Sequence, residues 1–279
     1  MALFRLFFVI AWAAVVTGAM AAPGPSAVAQ SKIKAVLGRD VSAFVPHQSL
    51  VKGVWAFYQA GYDHPLAGFA ASDNGDLLGI SGSFIDTAAK RALAEDEAAS
   101  VRDEVLQSVD FSKLIKLSYG NGGGRQVILW SAVDCPSCYR FEEWMMRSNP
   151  DATFYLVPTA LDRTNKSLRN LVTNIWCSLD PATAWRSWMS GRKQPAGPFK
   201  AQCDVSFDTG EAFAMAMTNT GFRLMGTPAY IMENGEVRYR WTNDRVPGDM
   251  NVYRKQISDR RLSGFRAAEM QTGFRAIIK

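Results

Sequence analysis

Histidine is almost missing from this chain: His47 and His64 are the only two in 279 residues. Cysteine is scarce too, with four, at positions 135, 138, 177 and 203. So low a count excludes a small disulfide scaffold, in which cysteine exceeds roughly 8–10% of a short chain. It also starves a structural zinc site, which needs four Cys or His ligands, often as two closely spaced pairs. Here one pair is close, while Cys177 and Cys203 stand 26 positions apart and both histidines lie far upstream. No metal and no cofactor is expected. Long apolar runs are absent after residue 21; no later segment approaches the roughly 20 residues of a spanning helix. Charge is also modest, with 31 Lys and Arg against 26 Asp and Glu, and nothing points to nucleic acid.

What is present begins with an address. Arg5 is followed by an apolar run from Leu6 to Val16, then small residues leading to Ala19-Met20-Ala21. A positive n-region, a short apolar h-region and an A-x-A site read as a secretory signal peptide over residues 1–21. Cleavage after Ala21 is favoured over cleavage after Ala22, which would leave Pro23 first. The alternative, an uncleaved anchor, is disfavoured by the shortness of the run. Export to an oxidising compartment, the periplasm, is the expectation. There an even number of cysteines fits two pairs.

The net charge of +5 is concentrated at one end. Between Arg254 and Lys279 stand seven basic and two acidic residues, which carry that excess alone. A basic tail over 263–279 can favour acidic partners or anionic surfaces, but a solvated helix and frayed terminus is the plainer reading.

The order of elements suggests two units. A short helix over 29–37 ends at Gly38, and strands follow at 54–59, 66–72 and 77–84. The last two are separated by Asp73-Asn74-Gly75-Asp76, a hairpin signal because Asn-Gly accepts positive φ. Residues 22–85 therefore read as a small α+β unit. From Asp86 the chain turns rich in Ala, Glu, Arg and Lys, with a cap candidate at Asp86 or Thr87. A largely exposed connecting helix is expected within 86–120. The glycine-rich stretch 119–126 then leads into a buried strand at 127–132. A helix at 136–148, a strand at 153–158, helices over 163–191 and 208–220, a hairpin over 229–241 and a helix from Pro247 complete an α/β plan with a mixed sheet.

The chemistry concentrates in Cys135-Pro136-Ser137-Cys138. The pair sits where a strand hands over to a helix, the redox placement of Cys-x-x-Cys. Pro136 suits the first helical turn, where its missing amide costs nothing. Cys138, Phe141, Trp144 and Met145 share one helical face, so Cys138 should point inward and Cys135 should lie exposed at the helix start. A helix N-terminus stabilises anions and lowers the pKa of Cys135, whereas Asp134 opposes this if its carboxylate lies close. Cys135 then attacks a substrate disulfide, and either Cys138 or a substrate thiol resolves the mixed disulfide.

These residues, with "GTPAYIMENGEV" (226–237), resemble the thioredoxin fold. "NIWCSLDPATAWRSWM" (174–189), followed by Cys203, narrows the resemblance to the periplasmic disulfide isomerases of the DsbC/DsbG type. The resemblance implies a thioredoxin-like catalytic domain over 121–262 with a helical insertion at about 160–205. It also implies a structural Cys177–Cys203 disulfide, and Thr227 and Pro228, with a cis bond between them, presenting backbone to substrate. It makes 22–85 a dimerisation domain and 86–120 a linker helix. The implied protein is a V-shaped homodimer, also able to act as a chaperone. Its clients are misfolded or mis-oxidised exported proteins, and a membrane-bound thiol reductase supplies its electrons.

Departures remain. Ser137 replaces the aromatic common before the second cysteine, leaving the balance of isomerase, reductase and oxidase open. Residues 127–132 hold no acid to take the proton from Cys138. The tail, with "GFRA" at 264–267 and 273–276, lies outside the pattern. Two rivals stand beside the isomerase or reductase: a DsbA-like thiol oxidase, and a chaperone or assembly factor whose dithiol is secondary.

Overall fold

A computed structural model describes residues 25–38, 41–58, 68–122, 125–232 and 235–239. The expected signal peptide, His64, the expected helix from Pro247 and the basic tail lie outside the described residues.

Ser26 opens α1 (Ala27–Leu37), its Oγ accepting the Ala29 amide at 3.1 Å. Gly38 closes the helix in the left-handed region at φ 62°, where a residue without Cβ is unstrained. Six strands then form an antiparallel meander in sequence order: β1 (Val45–Gln48), β2 (Val54–Tyr58), β3 (Phe69–Ser72), β4 (Leu77–Ile80), β5 (Ser83–Asp86) and β6 (Arg91–Ala92). The turn at 73–76 joins β3 to β4 as expected. The single strand expected over 77–84 instead folds back on itself. Ser81 and Gly82 both take positive φ, at 50° and 86°, and make a two-residue hairpin that pairs Ile80 with Ser83.

The remaining elements are α2 (Glu95–Gln107), a 3-10 turn (Phe111–Lys113), β7 (Ile115–Tyr119), β8 (Arg125–Ala132), α3 (Pro136–Ser148), β9 (Ala152–Thr159), α4 (Lys166–Cys177), α5 (Pro181–Gly191), α6 (Phe207–Met217) with a π turn (Thr218–Phe222), β10 (Ala229–Ile231) and β11 (Val237–Arg238). The second sheet runs β11-β10-β8-β9-β7. Within it β8 and β9 are parallel, joined through α3, and the other neighbours are antiparallel. The molecule is thus a mixed α/β structure with an antiparallel N-terminal sheet and a mixed second sheet.

The stretch expected as a linker helix is divided. Residues 86–94 finish the first sheet, α2 is 13 residues long, and β7 joins the second sheet. Nor is α2 simply exposed, because Ala98, Val101 and Val105 recur at helical spacing and are buried. The strand, not anticipated from the sequence, has a period of two: Ile115, Leu117 and Tyr119 are buried while Lys116 and Ser118 are exposed. Helical composition upstream had masked it.

The first sheet does not stand alone. On one face, Ile33 of α1 packs with Trp55, Phe57, Phe69 and Leu78. On the other, Ala56 meets Ala212 and Met215 of α6. Leu50, Val54, Ala70 and Phe84 belong to the same continuous core as Val101, Leu129 and Phe154. Burial on both faces explains why β2 and β3 read as unbroken apolar runs rather than alternating ones.

The expected long helical stretch over 163–191 breaks where Asp180 caps α5, accepting the Thr183 amide at 3.0 Å, with Pro181 as its first residue. Cys177 ends α4 and is bonded to Cys203, with 5.7 Å between Cα atoms. Replacing both by serine should lower the unfolding free energy by about 3–4 kcal/mol on the loop-entropy scale and leave the reactivity of Cys135 intact. Urea unfolding beside thiol alkylation measures the two quantities separately.

Candidate dithiol site

Strand β8 delivers the site. Its last residues are buried, and the chain continues as Val133, whose amide donates to the Thr159 carbonyl at 2.9 Å. Asp134 then turns away from the cysteines. Its two carboxylate oxygens accept the Leu161 and Asp162 amides at 2.7 and 3.0 Å, so it ties the chain beyond β9 to the site loop.

Cys135 is the N-cap of α3, with extended backbone, and Pro136 occupies the first turn. Its Sγ accepts the Cys138 amide at 3.3 Å and lies 3.0 Å from the Ser137 hydroxyl. The Thr227 carbonyl completes a triangle with these two atoms, 3.4 Å from Cys135 Sγ and 3.3 Å from Ser137 Oγ. The Thr227–Pro228 bond is cis, as is Gly197–Pro198. Cys135 is not exposed as its helix-start position suggested: its accessibility is 3%, and that of Cys138 is 0%. Helical position fixes which way a side chain leaves the axis. It does not reveal a loop, 90 residues later, that folds over it.

The two thiols are free and differ in acidity. A hydrogen bond from Cys138 does most to hold the Cys135 thiol at about 5; burial opposes it, and the Ser137 and Thr227 side chains and the Cys138 amide assist. Burial pushes the Cys138 thiol well up, and its bond to Cys135 raises it further, against a weaker pull from Ser131.

Side chains absent from the sequence-level candidates frame the pair. The Val133 carbonyl accepts from Trp188 Nε1 at 2.8 Å, from Arg192 Nη1 at 3.3 Å and from the Tyr139 hydroxyl. The Arg192 guanidinium lies 3.2 Å above the Tyr139 ring, so the end of α5 clamps the loop carrying Cys135. Glu142, 1% exposed, accepts from the Tyr119 hydroxyl and from Trp185 Nε1 at 3.2 Å, with Arg186 Nε at 4.0 Å. Its spacing of four from Cys138 marks it for the inward face; its charge argued against burial.

The remaining candidates lie elsewhere. Cys177 and Cys203 form the distant disulfide already described. His47, on β1, stacks on Tyr58 with ring centroids 4.0 Å apart and takes no part in the dithiol site. Among the described residues no group of three His, Cys, Asp or Glu could hold a metal ion.

A strand-loop-helix carrying Cys135 and Cys138, faced by a Thr-Pro that leads into the neighbouring strand of a mixed sheet, defines a thioredoxin-like protein with a Cys-x-x-Cys pair. Within that class the chain is a distant homologue of the DsbC-type thiol:disulfide interchange proteins. It is 27% identical over 164 residues to the probable thiol:disulfide interchange protein DsbC of Bordetella pertussis, and equally to that of Bordetella bronchiseptica. The match covers 56% of this chain and 52% of each relative, so the chain spans about half the length of these relatives. No family model matches. Among solved structures, a disulfide interchange protein from Neisseria gonorrhoeae is 27% identical, with TM-score 0.38 over 53% of this chain and 97% of that one. DsbG of Helicobacter pylori is 11% identical, with TM-score 0.32 over 73% and 98%.

Proposed function

We propose that this chain is an exported thiol–disulfide isomerase or reductase. One observation carries the reading: an acidic Cys135 thiol at the start of α3 backs onto a high-pKa Cys138 and faces the Thr227 carbonyl. The Cys135 thiolate attacks one sulfur of a client disulfide and releases the other as a thiolate, leaving client and enzyme joined. If Cys138 attacks next, it loses its proton, the Cys135–Cys138 disulfide forms and the client leaves as a dithiol, reduced by two electrons. If a client thiolate attacks instead, Cys135 returns unchanged and the client's disulfide is rearranged. Thr227 and Pro228 supply backbone for an extended client. Leu161 and Met225, each 54% exposed, give the site an apolar rim suited to misfolded chains.

Homology to the DsbC proteins and the N-terminal signal pattern support export; no helix among the described residues is long and apolar enough to cross a membrane. A homodimer, chaperone activity and a membrane-bound thiol reductase as electron donor complete the proposal. A thiol oxidase is the second reading, favoured by the acidity of Cys135: a stabilised thiolate stabilises the reduced form and makes the disulfide more oxidising.

The test is the redox state of each cysteine, trapped by acid quench and alkylation in the native compartment. The isomerase or reductase reading expects Cys135 and Cys138 reduced while Cys177 and Cys203 stay bridged. A steady state with all four oxidised supports the oxidase instead.

A further inference from the structure

The tip of the β4–β5 hairpin does more than close the first sheet. The Ser81 amide donates to Asn219 Oδ1 at 2.9 Å, and the Gly82 amide donates to the Asn219 carbonyl at 3.1 Å. Asn219 is fully buried at the end of α6, and its Nδ2 donates to the Met215 carbonyl at 3.0 Å. The approach is close enough to need glycine. A Cβ on Gly79 would stand 2.9 Å from the Asn219 carbonyl oxygen, and one on Gly82 would stand 3.3 Å from Gly221 Cα.

From Asn219 the chain has little freedom before it reaches the dithiol. Leu224 donates to Thr218 Oγ1 at 3.2 Å. Arg102 of α2 packs on Gly221, where a Cβ would lie 2.9 Å from its Cδ. The Tyr239 hydroxyl donates to the Arg223 carbonyl and accepts the Met225 amide at 2.9 Å. Two residues later the Thr227 carbonyl meets Cys135 and Ser137. A segment held at so many points passes on a displacement at one end instead of absorbing it.

We infer that the N-terminal sheet, through Ser81, Gly82 and Asn219, sets the position of the Thr227–Pro228 loop over Cys135, which makes Asn219 a positioning residue for the dithiol. The N-terminal unit is then part of the active-site scaffold, and whatever loads or distorts its hairpin tip is felt at Cys135. The inference rests on the proposed disulfide exchange for its meaning, but the reactivity of Cys135 tests it on its own.

Two variants attack the contact from opposite sides. Asn219→Ala removes the acceptor of the Ser81 amide, and Gly82→Ala forces a Cβ against Gly221 from the hairpin side. A third, Ile33→Ala, loosens α1 on the far face of the sheet without touching the contact. In the full chain, the pH dependence of Cys135 alkylation and the rate of exchange with a peptide disulfide are measured beside thermal stability. Because the Thr227 side chain, carried on the same loop as its carbonyl, helps hold the Cys135 thiol low, Asn219→Ala and Gly82→Ala should each move the alkylation midpoint up by about one pH unit. Exchange at neutral pH should slow about tenfold, mainly through KM, as the backbone presented to substrate is displaced. Ile33→Ala should lower the melting temperature and leave both readouts at the parent values. If either contact variant folds and matches Ile33→Ala in midpoint and rate, the inference is overturned. If the parent chain exchanges no disulfide, the functional proposal fails while the midpoints still decide the positioning role.

Discussion

Cys138→Ala should accumulate as a covalent adduct with client protein, joined through Cys135, in cells that export the chain. Attack on a client disulfide needs only the Cys135 thiolate, and the substitution leaves the mixed disulfide without its internal resolving thiol. Burial pushes the Cys138 thiol well up, so it offers little thiolate at neutral pH, whereas the Cys135 thiol is held low; the reverse variant should therefore not behave symmetrically. Cys135→Ser should form no adduct and lower exchange with a peptide disulfide at least about 10³-fold, the scale expected when a nucleophile is removed. Non-reducing electrophoresis of acid-quenched extracts reads both results. Equal adduct yields from the two variants would mean that both sulfurs are attacked, and the assigned order of thiols would be wrong. The pH dependence follows from the same asymmetry. With the Cys135 thiol near 5, its alkylation in the parent chain should be almost independent of pH above about 6; several hydrogen-bond contributions stabilise that thiolate, and Cys138→Ala removes one of them. The bond from the Cys138 thiol is the largest of these contributions, so its loss should move the midpoint upward. A midpoint near the ordinary cysteine value of about 8.5 would show that this one bond supplies nearly the whole depression.

Much of this site was written in local sequence. The apolar run 127–132, Cys135-Pro136-Ser137-Cys138 and the helical spacing of Phe141 and Met145 place a dithiol where a strand meets a helix, because each rule involved acts within one or two turns of chain. The helix before Gly38 and the turn at 73–76 were legible for the same reason. What escaped depends on contacts across the fold. Cys135 is covered by Thr227, 92 residues away, and Asp134 is turned aside by two amides beyond β9. The strand β7 pairs with β9 across about 35 residues, and its five residues were hidden behind a helix-rich neighbour. Docking of α6 on β2 leaves a local trace only as buried small residues, Ala56 against Ala212. Small residues at a tight interface look, in sequence, like small residues anywhere.

Glu142 illustrates the error of reading charge as exposure, and its replacement should produce the largest change in stability at any one side chain around the site. Glu142→Ala would leave the Tyr119 hydroxyl and Trp185 Nε1 without their acceptor and Arg186 without its buried partner. Breaking such a group from one side costs about 3–5 kcal/mol. Glu142→Gln should cost much less, because one amide can accept from the indole and donate to the phenol oxygen. The pH dependence separates ionic from steric effects. Burial raises the Glu142 carboxyl above its ordinary value, so between the unfolded and folded pKa the native state binds the extra proton. Its stabilising contribution is therefore fully present below the unfolded value, near 4.5, and is lost as pH rises through the higher folded value. Glu211 is buried with its carboxyl raised in the same sense, so the slope of the parent chain alone does not isolate Glu142. The difference between parent and Glu142→Gln does. Urea midpoints collected from pH 4 upward should show Glu142→Gln gaining on the parent as pH rises across that window. A constant difference would mean that Glu142 keeps its charge when folded and that Tyr119, Trp185 and Arg186 fully offset its burial.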